Sequence, residues 1–191
     1  MSRSGATRTA AAAVLAGLLI GPGIASYLDG PPPAHTGGFG EPSCYGCHFD
    51  NDLDAAPGTL TLGGLPEAYQ AGGRYRLTLT LTRPETQSAG FQLATRFANG
   101  PNRGEQAGAL RPLDDRSTVR RDPDSSLEYA QHVEAGTAVD EAGTAVWHLE
   151  WTAPDAVVPV AVHASANASN GDRSEFGDFV YQLEQLAAAV R

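Results

Sequence analysis

Tyr75-Arg76-Leu77-Thr78-Leu79-Thr80-Leu81-Thr82 places an apolar side chain at every second position and a hydroxyl or a charge between. That is the period of a β-strand with one buried face and one hydroxyl-rich outer face. The same alternation recurs on both sides. Thr59 to Leu62 carries it upstream. Downstream, Phe91, Leu93, Thr95 and Phe97 repeat it until Asn99-Gly100-Pro101-Asn102. Leu127 to Val133 is a shorter candidate. Trp147, Leu149 and Trp151 alternate with Val146, His148 and Glu150, and Ala153-Pro154-Asp155 closes that run. Val158, Val160, Val162 and Ala164 form another, and Phe179, Tyr181 and Leu183 the last. Residues 101–126 are polar, rich in Arg and Asp, and read as a long loop. Asn167-Ala168-Ser169 reads as a turn. No helical period exceeds two turns, and there is no internal repeat. About seven strands separated by turns predict an all-β antiparallel sandwich.

The chain has 191 residues, enough for one domain with a core. The strands occupy 59–191. Residues 26–58 contain Gly30-Pro31-Pro32-Pro33, Gly37-Gly38, Gly40 and Pro42, so they form an irregular arm. Every basic residue is Arg, which excludes chemistry that needs a Schiff-base or P-loop lysine. A net charge of −9 leaves no electrostatic footprint for nucleic acid or an anionic membrane, and points to neutral or basic partners.

Residues 1–25 read as a secretory signal peptide. Arg3 and Arg8 precede an apolar run from Ala10 to Ile20, too short to span a bilayer, and Gly23-Ile24-Ala25 supplies a small-residue cleavage site. An uncleaved anchor is the alternative. Cleavage would remove two Arg and no acid, taking the net charge from −9 to −11. It would also remove Met1, the one methionine.

The two cysteines of the chain lie in Cys44-Tyr45-Gly46-Cys47-His48. This pentapeptide is the attachment signature of c-type haem. Two thiols add to two vinyl groups on one edge of a rigid macrocycle, so two intervening residues let the backbone turn and bring both sulfurs there. The adjacent imidazole then reaches the iron as the proximal ligand. Random placement of the same residues gives this pattern about once in 4,000 chains. A redox disulfide usually sits at a helix start in a βαβ unit, which this chain lacks. A structural zinc site needs four ligands. The loop closed by a plain disulfide here is too small to add much stability.

The other face of the iron is constrained by composition. Met1 leaves with the signal peptide and lysine is absent. His35, His132, His148, His163, the new N-terminal amine or water remain. His148 sits opposite the tryptophans, on a face read as solvated. His163 lies on a small-residue face with Ala161 and Ser165. His132 follows Tyr129-Ala130-Gln131 at a polar-facing position. Asp50-Asn51-Asp52-Leu53-Asp54 begins like a calcium loop, but Ala55 and Thr61 stand where Gly and Glu are required, so it reads as an acidic turn.

The segment His35-Thr36-Gly37-Gly38-Phe39-Gly40-Glu41-Pro42-Ser43 runs into the cysteine motif. Then come Gly90-Phe91-Gln92-Leu93, Tyr129-Ala130-Gln131-His132, Trp147 to Trp151 with Ala153-Pro154, Asn167 to Gly171, and Gly177-Asp178. This order resembles the bacterial reeler-like proteins with an N-terminal C-x-x-C-H, also described as choice-of-anchor V domain proteins, over residues 30–185. The resemblance implies an immunoglobulin-like sandwich carrying one haem on its arm. It also implies that His132, the family's typical histidine of the body domain, is the leading sixth ligand. The family often has an aromatic residue where this chain has His163, which makes His163 a local substitute. Relatives often end in an anchor. This chain lacks one, so it is expected to be soluble in the periplasm or secreted.

The resulting expectation is an exported monohaem c-type cytochrome in electron transfer or redox sensing, with a redox partner of basic surface. Cys44 and Cys47 hold haem c and His48 binds its iron, with His132 or else His163 opposite. Two His ligands without Met predict a low-potential, low-spin centre. The alternatives are a binding or adhesion module with a structural haem, and an open-site haem enzyme or gas binder.

Overall fold

The computed structural model describes residues 27–190, so the expected signal peptide lies outside the described residues. The strands are β1 (Thr59–Gly63), β2 (Ala68–Tyr69), β3 (Arg74–Thr82), β4 (Ser88–Phe97), β5 (Ala109–Pro112), β6 (Ser117–Arg121), β7 (Glu128–His132), β8 (Thr144–Thr152), β9 (Val160–Ser169) and β10 (Phe179–Ala189). One sheet has the order β1-β3-β8-β5 and the other β2-β10-β9-β4-β7-β6. All pairings are antiparallel except β2 with β10. The fold is therefore an all-β antiparallel sandwich, the class the alternation predicts, and of the immunoglobulin-like form that the resemblance implies.

The period-two residues make the core. Leu77, Leu79 and Leu81 pair with Leu149, Trp147 and Ala145 across β3 and β8. From the other sheet, Phe91 and Leu93 of β4 and Val162, Ala164 and Ala166 of β9 join them, all completely buried. The Phe91 and Trp147 rings stand 4.6 Å apart. Both buried indole N–H groups are satisfied: Trp147 donates to the Gly136 carbonyl and Trp151 to that of Ala107, each at 2.9 Å.

Three expectations need correction. The segment 101–126 is not one loop, since β5 and β6 lie in it as edge strands. Only Leu110 of β5 and Ser117 of β6 are buried, so neither strand shows a clean apolar alternation. Asn167 to Ser169 is strand, not turn, because β9 continues through Ser169 against Ser88. β10 likewise runs past Leu183 to Ala189, where Ala188 pairs with Ala68.

The outer face of the six-stranded sheet is covered, where an antiparallel sandwich usually meets water. Gln92 and Ser165 are fully buried there, and Arg96 nearly so. Their partners belong to the arm. His35 N–H donates to Gln92 Oε1 (2.6 Å), while Gln92 Nε2 donates to the Pro32 carbonyl (2.9 Å) and to Gln131 Oε1 (3.2 Å). Gln131 Nε2 donates in turn to the Asp29 carbonyl at 2.9 Å. Thr36 and Tyr129 donate their hydroxyls to the Glu41 carboxylate (2.7 and 2.6 Å), which also pairs with Arg96. These side chains give irregular backbone the partners that a strand would otherwise supply. The arm is thus a third layer, regular only in 3-10 turns at Gly38–Gly40 and Cys44–Gly46.

Candidate functional site

The cysteine motif closes on itself. Ser43 Oγ accepts from Tyr45 N–H at 3.2 Å, capping the turn. Cys47 N–H and His48 N–H both donate to the Cys44 carbonyl, at 3.2 and 3.0 Å. Both thiols therefore sit on one short turn. Cys44 N–H donates to Ser165 Oγ at 3.2 Å, which fastens that turn to β9. The thiols are free, Cys44 half-buried and Cys47 exposed. Burial pushes the Cys44 thiol up to about 11. A redox C-x-x-C pair works through a thiol of lowered pKa, so this environment is the wrong one for it.

His48 Nδ1 lies 2.8 Å from Asp178 Oδ2, and Asp178 is 1% exposed. The carboxylate accepts a hydrogen bond from Nδ1–H, the tautomer that leaves the lone pair on Nε2, and Asn167 Nδ2 lies 3.3 Å from the same nitrogen. Asn167 Nδ2 also donates to Asp178 Oδ2 (2.8 Å), and Asn170 N–H to Oδ1 (3.1 Å). The acidic run after the motif serves as a stitch. Asp50 accepts from Gly177 N–H (3.0 Å), Asn51 Nδ2 donates to the Asp178 carbonyl (2.8 Å), and Asp54 N–H donates to that of Val180 (2.9 Å).

The motif borders a cleft of about 530 Å3 that also takes in His35 and His132. Tyr27, Leu28 and Phe49 line it, exposed by 48%, 45% and 55%, and Phe49 meets Phe176 edge-on at 6.5 Å. Half of the large exposed apolar side chains among the described residues thus gather at one mouth, the mark of a surface that receives a ligand. Asn167 Oδ1, on the cleft wall, is buried without a partner.

His132 is buried. The β4–β7 ladder stops after Leu93–Ala130 and Gln92–Gln131, and the His132 ring takes the next place. Phe91 N–H lies 2.9 Å from His132 Nδ1 and the Phe91 carbonyl 3.3 Å. Nε2 faces the Tyr27 carbonyl at 3.0 Å. Gly90 makes room for the ring, since a Cβ there would stand 2.5 Å from it. Burial holds the His132 pKa below the ordinary value, and both ring nitrogens are engaged by backbone groups. His35 Nδ1 lies 3.1 and 3.0 Å from the carbonyls of Pro32 and Pro33, which leaves its Nε2 lone pair available. His163 lies elsewhere. It lines a second cleft of about 520 Å3 with Phe39, Arg103 and Glu184. The arm crosses it at Gly38, where a Cβ would stand 2.3 Å from the imidazole. His148 is half-buried beside Thr78 Oγ1 (3.3 Å).

Among the described residues, no three His, Cys, Asp or Glu side chains form a metal cluster. Two thiols on one turn, a free His48 Nε2, apolar walls and further imidazoles on the same cleft are residues that fit a covalently held haem. Asp178 and the arm-holding Gln92, Gln131 and Glu41 had no assigned role in the sequence. Gly177-Asp178 was visible as a pair, but no local pattern joins it to His48, which is 130 residues away.

No protein-family model matches the sequence, and no curated protein does. Among solved structures, the chain is similar to the human F-spondin reeler domain, with 19% identity over 73% of this chain and 93% of that one, at a TM-score of 0.49. It is also similar to the Reelin-N domain of F-spondin, with 17% identity over 77% and 97% at 0.48. A third similar structure is a cohesin module from a Clostridium perfringens family 33 glycoside hydrolase, with 12% identity over 69% and 96% at 0.43.

Proposed function

We propose that this protein is an exported, single-haem c-type cytochrome that transfers or senses electrons. The observation that carries the reading is the Cys44-Tyr45-Gly46-Cys47-His48 turn bordering an apolar-mouthed cleft that also holds His132 and His35. When bound, the haem supplies one-electron exchange at its iron. Cys44 and Cys47 would tether it as thioethers, and His48 would bind iron through Nε2. To bind iron as a second ligand, His132 would have to release the Tyr27 carbonyl and move its ring proton from Nε2 to Nδ1, beside the Phe91 carbonyl. His35 already has its Nδ1 directed at carbonyls. The acidic surface suits a basic redox partner. The resemblance to reeler-like proteins with C-x-x-C-H supports the same reading, and the periplasm is the compartment it implies.

Carbon monoxide tests it. The reduced, loaded protein should refuse the gas, and its ferric form should be low-spin. His132→Ala or His35→Ala, whichever removes the second ligand, should turn it high-spin and gas-binding. Rapid binding by the parent would instead show an open-site haem enzyme or gas carrier. The exposed apolar rim favours one second reading, a sandwich module that binds an apolar ligand in the same cleft. In that case exported protein would be colourless.

A further inference from the structure

Building on the cytochrome reading, we infer that Asp178 is a positioning residue: its carboxylate holds the Nδ1 proton of His48, aims Nε2, and sets how strongly that imidazole donates to iron. Three elements converge on it. Asp178 precedes β10, Asn167 of β9 donates to its Oδ2, and Asn51, just after the cysteine motif, donates to its backbone carbonyl. Asp50 fixes the preceding residue through Gly177 N–H. The carboxylate is buried with no Arg paired to it in the structure described, and the His48 N–H is its one side-chain partner that can carry positive charge.

A neutral carbonyl would orient the ring equally well. A carboxylate does more, because hydrogen bonds to an ionised acceptor are about twice as strong as neutral ones. A carboxylate behind a ligating histidine also raises its basicity. A more basic imidazole stabilises ferric over ferrous iron, so Asp178 lowers the potential of the centre. A merely structural Asp178 would act only as acceptor for Asn170 N–H and Asn167 Nδ2 and leave the potential alone.

Asp178→Asn separates these roles, since the amide oxygen still accepts from Asn170 while the charge is gone. Parent, Asp178→Asn and Asp178→Glu are produced with c-type maturation and titrated spectroelectrochemically. The same chains, produced without maturation, are examined by 15N NMR of the His48 ring. We expect covalent haem in all three, an upward shift of the midpoint potential in Asp178→Asn, and partial return in Asp178→Glu. In the unloaded parent, His48 carries its proton on Nδ1, and Asp178→Asn mixes the tautomers. An unchanged potential in haem-bearing Asp178→Asn overturns the inference, as does an unchanged tautomer should that variant fail to load. Absence of haem from the parent itself would sink the cytochrome reading instead, and the tautomer experiment would still decide the role of Asp178.

Discussion

His163 and Asn167 stand four residues apart on one face of β9, and the arm sends them to different clefts. His163 lies under Gly38, edge-on to Phe39 at 5.1 Å and 3.7 Å from Glu184. Burial holds its pKa below the ordinary value despite Glu184, and nearby Arg96 pushes the same way. The unfolded chain therefore binds this proton more readily than the folded one. The His163 contribution to stability is complete above about pH 6.5 and is lost as pH falls below it. His163→Phe should lose less melting temperature between pH 7.5 and 5.5 than the parent, and His132, shifted the same way, keeps part of the slope in both. Thermal melts across that range check this. At Cys44 the thiol is protonated at neutral pH. A rise from 9.0 to about 11 leaves a hundredfold less thiolate. Partly offset by nucleophilicity, this slows alkylation of the unloaded chain at Cys44 about tenfold against a free thiol. Timed iodoacetamide labelling with peptide mass analysis reads that ratio, and equal rates would contradict it.

At the scale of elements, the arm is held by buried polar groups more than by apolar contact. Arg96 and Glu41 have side chains only 5% and 12% exposed. Glu41→Ala leaves the guanidinium buried without its carboxylate, and such removals cost about 3 kcal/mol or more. Urea unfolding should show that loss, and hydrogen exchange should show the arm deprotected ahead of the sandwich. In the core, Leu79→Ala should cost about 3 kcal/mol, while Thr80→Ala on the outer face stays within about 0.5 kcal/mol. The long strands were legible because every second side chain is apolar and faces the core, whether or not the other face is also covered. β5 and β6 were not, since each is an edge strand with one buried residue. The covered outer face was not legible either. Gln92, Arg96, Gln131 and Tyr129 look like solvent-facing positions in a strand, and only the folded arm reveals them as its anchors. At the site, Cys44, Cys47 and His48 were readable because their chemistry is local. Asp178 was not, because its pairing with His48 exists only once β9 and β10 bring it there.

For the molecule as a whole, the sandwich presents one face of its larger sheet to the arm, and the arm carries the cysteine turn to the edge of a cleft. No helix among the described residues is long and apolar enough to cross a membrane. The account turns on what the two thiols hold. Intact mass and haem staining of protein exported from a host with c-type maturation decide this directly. We predict red protein, heavier than the processed chain by one haem, with the label surviving denaturation and lost in Cys44→Ala/Cys47→Ala. A colourless product of bare polypeptide mass, with Cys44 and Cys47 joined to each other, would contradict it.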